Sequence, residues 1–158
     1  MINFGKLDST SDDPAREKAS GLNILIVEDD IDYAESTAVL LNMAGHKVEI
    51  TSTALGAVSA VVANQFDVVL LDLGLPGLSG LDIAKWVQGK ESVSPPCLIA
   101  LTGHSKVDFQ LQADQSGITH FLTKPVDPSS LLDLLSKIQE EKPNGPDLLV
   151  HQYSVRPF

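Results

Sequence analysis

Asp72 closes the apolar run Val68-Val69-Leu70-Leu71 and is followed at once by Leu73-Gly74-Leu75-Pro76-Gly77-Leu78-Ser79-Gly80. A run of branched apolar residues without alternation reads as a strand buried on both faces, and the Gly and Pro residues stop it at Asp72. Such an Asp is a candidate nucleophile or metal ligand; it is also a candidate cap for the turn that follows. Glu28, Asp29 and Asp30 end a second apolar run, residues 23–27. Asp30 suits a helix N-cap, since a helical pattern begins at Ile31. Glu28 and Asp29 do not fit that role, and adjacent carboxylates at the end of a buried strand repel each other unless a cation offsets them. Thr102 closes the run 97–101, and Lys124 follows the run 119–123. Three carboxylates are too few for a calcium cage but suit Mg²⁺, which keeps waters and shares phosphate oxygens. An amine and a hydroxyl beside them can hold the remaining phosphate oxygens. The chemistry favoured is phosphoryl transfer onto a carboxylate, with Asp72 as nucleophile.

Such convergence requires that every one of these residues leave the same edge of one sheet. Strands are expected at 23–27, 47–51, 68–72, 97–101 and 119–123, and helices at about 31–44, 54–64, 81–88, 106–115 (the weakest) and from 128 onward. In the first helix, Ala34, Ala38, Leu41 and Met43 or Ala44 supply the inward stripe, and Gly45 stops it. Five strands alternating with five helices predict a doubly wound α/β parallel sheet, because each crossover between parallel strands needs a helix to cover a face. Ligands of such sheets bind outside the carboxyl ends of the strands, where Glu28, Asp29, Asp72, Thr102 and Lys124 fall.

The 158 residues, 43% apolar and 20% charged, suit one soluble domain, and no apolar run approaches the length of a membrane span. Residues 1–21 are polar and mixed in charge, unlike a signal peptide, so a cytoplasmic protein is expected. The formal charge is −10, carried by residues 23–141 because the charges of the two ends cancel. An acidic domain without a basic patch repels nucleic acid and anionic membranes, so neither is an expected partner. The single cysteine, Cys97, excludes an internal disulfide.

From about residue 23 to 141 the chain resembles the receiver domain of bacterial two-component response regulators. The resemblance rests on the pair Glu28-Asp29, on Asp72 with Pro76 and Gly80 in a D-x-x-x-P-x-x-x-G pattern, on Thr102, and on Lys124-Pro125. It implies a flavodoxin-like sheet in the order 2-1-3-4-5, with Asp72 accepting a phosphoryl group from a phosphohistidine on a sensor histidine kinase or a histidine phosphotransfer protein. Asp29, Asp72 and the backbone carbonyl of Gly74 would ligate Mg²⁺, with Glu28 acting through a bound water. Lys124 would pair with the carboxylate or the phosphoryl group, ahead of a cis bond to Pro125. Phe121 matches the switch aromatic whose ring turns inward when Thr102 moves to the phosphoryl oxygens; the bland readings are a core Phe and a strand-end Thr. The changed surface would comprise the fourth and last helices and the fifth strand, engaging a downstream protein target and leaving homodimerisation on phosphorylation as an open outcome.

Gly74 and His104 occupy positions that tune phosphoryl lifetime in such domains, and Gly74 has no side chain to orient an attacking water. The stretches Gly74-Leu75-Pro76-Gly77, Ala100-Leu101-Thr102-Gly103 and 120–128 look most like receivers attached to hybrid sensor kinases. The implied organisation is a flexible extension at 1–21, a receiver at 22–141 and a tail at 142–158 with no effector domain. The protein would be a phosphoacceptor rather than an enzyme, with self-dephosphorylation as its one catalytic act. A phosphatase of the haloacid dehalogenase type needs a second Asp where Gly74 stands, and a flavin-binding flavodoxin needs a positively polarised loop where Glu28-Asp29-Asp30 stands. A receiver fold serving as a constitutive, unphosphorylated interaction module is the remaining alternative.

Overall fold

A computed structural model describes residues 21–77, 79–90, 94–103 and 116–142. Five strands, β1 (Asn23–Val27), β2 (Lys47–Thr51), β3 (Val68–Asp72), β4 (Cys97–Thr102) and β5 (Ile118–Thr123), form one parallel sheet in the order β2-β1-β3-β4-β5. Four helices lie among the described residues: α1 (Ile31–Met43), α2 (Ala54–Ala63), α3 (Gly80–Gly89) and α4 (Pro128–Glu141). The helix expected over 106–115 lies outside the described residues, as do His104 and residues 143–158. The predicted flavodoxin-like order is the observed one.

Alternate residues of the central strands feed two separate cores. Leu25, Val27, Val69, Leu71, Leu98 and Ala100 pack under α2 and α3, while Ile24, Ile26, Val68, Leu70, Ile99 and Leu101 pack under α1 and α4. Side chains alternate across a strand, so a sheet covered on both faces needs apolar residues at every position. That is why 68–71 shows no alternation, and all five residues of β3 are buried.

Each helix starts on a side-chain cap: Asp30 accepts from the Tyr33 N–H, Thr53 from Gly56, Ser79 from Asp82 and Asp127 from Ser130. In α1, Ala34, Ala38 and Leu41 are buried as expected, but Met43 is 83% exposed and Ala44 is exposed as well. At 100° per residue Met43 stands some 200° round the helix from Leu41, so the inward stripe passes it by. Gly45, with φ of 94°, turns the chain out of α1 in the left-handed region.

At the sheet's amino edge, the Asn23 N–H donates to Asp67 Oδ2 at 2.7 Å, and Lys142 forms an ion pair with Asp67. Lys142, expected to begin the tail, is thus tied to the start of β3. Nearby the Leu22 N–H donates to His46 Nδ1 at 3.1 Å, and burial holds the imidazole below the ordinary 6.5. A depressed histidine contributes stability that is complete above its unfolded value of 6.5 and lost as pH falls below it. The melting temperature of the wild type should therefore fall between about pH 7.5 and about pH 5 more steeply than that of His46→Leu. Parallel slopes in a thermal melt series would refute the assignment.

Candidate functional site

The carboxyl edge is held in register by backbone bonds that run one residue past the strands. Glu28 N–H donates to Thr51 O at 3.0 Å, Leu73 N–H to Leu101 O at 3.0 Å, and Lys124 N–H to Thr102 O at 2.8 Å. Val27 pairs with Leu71 and Asp72 with Leu101, so Glu28 and Asp72 reach the edge side by side. The loop after Asp72 folds tightly onto α3. A Cβ on Gly80 would stand 2.8 Å from the Asp72 carbonyl oxygen and 3.0 Å from Leu73 Cα, so only glycine lets the first turn of α3 close on that backbone.

Carboxylate oxygens of Glu28, Asp29 and Asp72 lie within 4.8 Å of one another. Glu28 is 1% and Asp72 6% exposed, while Asp29 faces solvent. The Glu28 oxygens are both engaged, Oε1 by the Asp30 N–H at 3.2 Å and Oε2 by the Lys124 ammonium. Asp72 Oδ1 accepts from the Gly74 N–H at 2.8 Å, and its Oδ2 lies 3.4 Å from Lys124 Nζ. Burial pushes the Glu28 carboxyl above its ordinary range, and the Lys124 hydrogen bond offsets this only in part. Burial acts on Lys124 in the opposite sense, but the Glu28 hydrogen bond and the charge of Asp72 outweigh it, so its ammonium is held above the usual lysine value.

Glu28, Asp29, Asp72 and Lys124 thus meet, as the spacing predicts. Thr102 ends β4 buried at 2% exposure, with its carbonyl carrying Lys124. Phe121 is half-buried against the core under α2 and α3, and the Lys124–Pro125 bond is cis. Gly74 contributes an N–H to Asp72, a donor the sequence did not suggest. Tyr33 was missed altogether. Its ring centroid lies 4.9 Å from Lys124 Nζ, and burial raises its half-buried phenol above the usual tyrosine range. Its only sequence signal is an aromatic in the first turn of the helix after the acidic pair.

The donor set fits Mg²⁺: three carboxylates are hard oxygen ligands, and a cation among them would relieve their mutual repulsion. The exposed Asp29 leaves the cluster open on one side to waters or phosphate oxygens.

Solved structures with the same fold define the class. The CheY-like receiver domain of a response regulator from Methylobacillus flagellatus is 31% identical, with a TM-score of 0.70 over 75% of this chain and 99% of that one. A putative response regulator from Chloroflexus aurantiacus is 25% identical, with a TM-score of 0.71 over 77% of this chain and 99% of that one. The family model of the response regulator receiver domain matches residues 24–149, and the chain belongs to that family. Among curated relatives, the response regulator protein PmrA of Pseudomonas aeruginosa is 34% identical over 70% of this chain and 49% of that protein. The phosphate regulon transcriptional regulatory protein PhoB of the same organism is 32% identical over 75% of this chain and 52% of that one. The chain spans about half the length of these two relatives. Both names are those of regulators rather than hybrid kinases. Phosphorylation-based signalling by a receiver domain is therefore the setting of this site. Among the described residues no helix is long and apolar enough to cross a membrane.

Proposed function

We propose that Asp72 accepts a phosphoryl group from a phosphohistidine on a sensor histidine kinase or a histidine phosphotransfer protein, in a Mg²⁺-dependent reaction. The observation that carries this is the setting of Asp72: a buried carboxylate fixed by the Gly74 N–H on one side and facing Lys124 on the other, within one acidic cluster. The P–N bond of the donor breaks as a P–O bond forms to Asp72, and the imidazole, protonated on its other nitrogen, leaves neutral. Lys124 lies where it can bind the phosphoryl oxygens as they arrive, at the cost of loosening its hold on Glu28. Asp29 and Asp72, with the Gly74 carbonyl, would hold Mg²⁺, and Glu28 would act on it through water. When bound, the metal supplies positive charge that offsets the phosphoryl oxygens in transit.

The signal would pass from Thr102 to Phe121, whose ring is half-buried against the core under α2 and α3, and so to the face of β5 and α4. Output would be protein–protein contact or onward phosphorelay, because a chain of net charge −10 repels phosphate backbones. The protein would act as a phosphoacceptor, with Lys124 assisting both the gain of the phosphoryl group and its loss to water. Gly74, two residues after the acceptor, carries no side chain to steer water onto the acyl phosphate, which should not be unusually short-lived.

Intact-mass spectrometry after incubation with acetyl phosphate, and separately with a phosphorylated histidine donor protein, tests this with and without Mg²⁺. A single Mg²⁺-requiring phosphoryl adduct mapping to Asp72 is expected. No adduct from either donor would sink the proposal and leave a constitutive interaction module.

A further inference from the structure

We propose that Tyr33 is a positioning residue for Lys124, its ring forming the third wall of a slot whose other two walls are the Glu28 and Asp72 carboxylates. The inference rests on the reading of Asp72 as phosphoacceptor, and it concerns a residue from a different element than any assigned above.

Lys124 sits at the start of the loop between β5 and α4, and a long ammonium side chain there has rotamers that lead away from the site. Two partners restrain it from the acidic side, Glu28 by an ion pair and Asp72 at 3.4 Å. Tyr33 restrains it from another, with the ring centroid 4.9 Å from Nζ, inside the range in which a cation is drawn to a π face. The tyrosine backbone is itself fixed at two points: its N–H donates to Asp30 Oδ1 at 3.1 Å, and its carbonyl accepts from the Thr37 hydroxyl at 2.9 Å. The ring therefore ties the first turn of α1 to Lys124. Asp30, which caps α1 and takes the Tyr33 N–H, also gives its own N–H to Glu28 Oε1. One short chain of contacts thus sets two of the three walls.

A phosphoryl group in transit spreads negative charge over its equatorial oxygens whether it is arriving on Asp72 or leaving it for water. An ammonium held in place lowers both barriers; one free to swing away lowers neither as well. Removing the ring should therefore slow gain and loss of the phosphoryl group together. The expected factor is about two- to fivefold, the size carried by a cation–π contact at a partly exposed site. The Mg²⁺ concentration giving half-maximal rate should stay unchanged, since Tyr33 is not among the three clustered carboxylates.

The test compares wild type, Tyr33→Phe and Tyr33→Leu in the full chain. Phosphorylation by acetyl phosphate at saturating Mg²⁺ and first-order loss of the aspartyl phosphate are followed by intact mass. Tyr33→Leu should show both rates reduced, and Tyr33→Phe, which keeps the ring, should stay close to wild type. Unchanged rates in Tyr33→Leu, equal impairment in both variants, or slower gain with faster loss would each overturn the proposal, the last by making the ring a water shield. Side-chain NMR supplies a readout that needs no phosphorylation. The Lys124 ε-methylene signal, assigned by its absence in Lys124→Met, should be shifted upfield by the ring in wild type and Tyr33→Phe and not in Tyr33→Leu. A random-coil position in all three overturns the proposal even if the chain takes no phosphoryl group. Failure of the wild type to be phosphorylated by acetyl phosphate and by a phosphorylated histidine donor protein, with the ring shift present, would instead refute the reading of Asp72.

Discussion

Lys124→Met should lower the rate of phosphoryl uptake about 10²–10³-fold, the usual loss when one donor to a developing oxyanion is removed. It should also lower stability at neutral pH by about 1–3 kcal/mol, less than the full cost of breaking a buried pair because the lysine side chain is 24% exposed. The two effects have one origin. Lys124 is the cation facing both Glu28 and Asp72, and methionine keeps the unbranched stem while deleting the charge. Glu28, already raised by burial, would lose the partner that offsets part of that rise. A carboxyl with a raised folded value contributes stability that is complete below its unfolded value of 4.5 and lost as pH rises through the folded value. The deficit of Lys124→Met should therefore be largest at neutral pH and shrink as the solution is acidified. Urea melts of both proteins across that range check this, and a deficit independent of pH would mean that packing of the stem, not charge, is what was lost.

The positions of the site residues were legible because each strand that carries one is stopped abruptly. An unalternating run before Asp72 and before Thr102 shows a strand covered on both faces, and a Gly or Pro within a few residues places the side chain at its carboxyl end. Parallel strands with helical crossovers have all their carboxyl ends on one edge, so order along the chain translates directly into proximity. The same logic explains the strand order only through resemblance, since periodicity does not say which strand lies beside which.

Contacts made sideways along that edge were not legible. Glu28 and Lys124 are 96 residues apart, and nothing local says that the lysine pairs with Glu28 while Asp72 stands farther off at 3.4 Å. Tyr33 reaches the site from α1 across the β1–α1 loop, and its identity as an aromatic carried no period or spacing to mark it. The expectation of Met43 or Ala44 as the fourth inward residue fails for a different reason: the stripe Ala34, Ala38, Leu41 follows the 3.6-residue period, and the next inward position falls on the turn at Gly45 instead. The half-burial of Phe121 depends on how α2, α3 and the sheet leave space around it, which composition does not encode.

Asp72→Asn should abolish phosphoryl uptake from either class of donor while leaving the domain folded. Asparagine keeps the shape of the side chain, and its amide oxygen can still accept the Gly74 N–H that now holds Asp72 Oδ1 at 2.8 Å. Its amide nitrogen takes the place of Oδ2, 3.4 Å from Lys124 Nζ, so that ammonium loses one of its two acidic partners; the deleted charge is also one of the causes that raise the Glu28 carboxyl, and relief of that repulsion offsets the lost contact. With three carboxylates reduced to two, repulsion within the cluster falls, so without Mg²⁺ the variant should melt no lower than the wild type. Adding Mg²⁺ separates the two proteins in the other direction. At ten times its Kd the metal should stabilise the wild type by about 1.4 kcal/mol and the variant by much less, because one of its ligands has lost its charge. Thermal melts with and without Mg²⁺, alongside intact mass, read both effects. A variant that still took a phosphoryl group would move the acceptor to another carboxylate of the cluster, with the exposed Asp29 the first to replace.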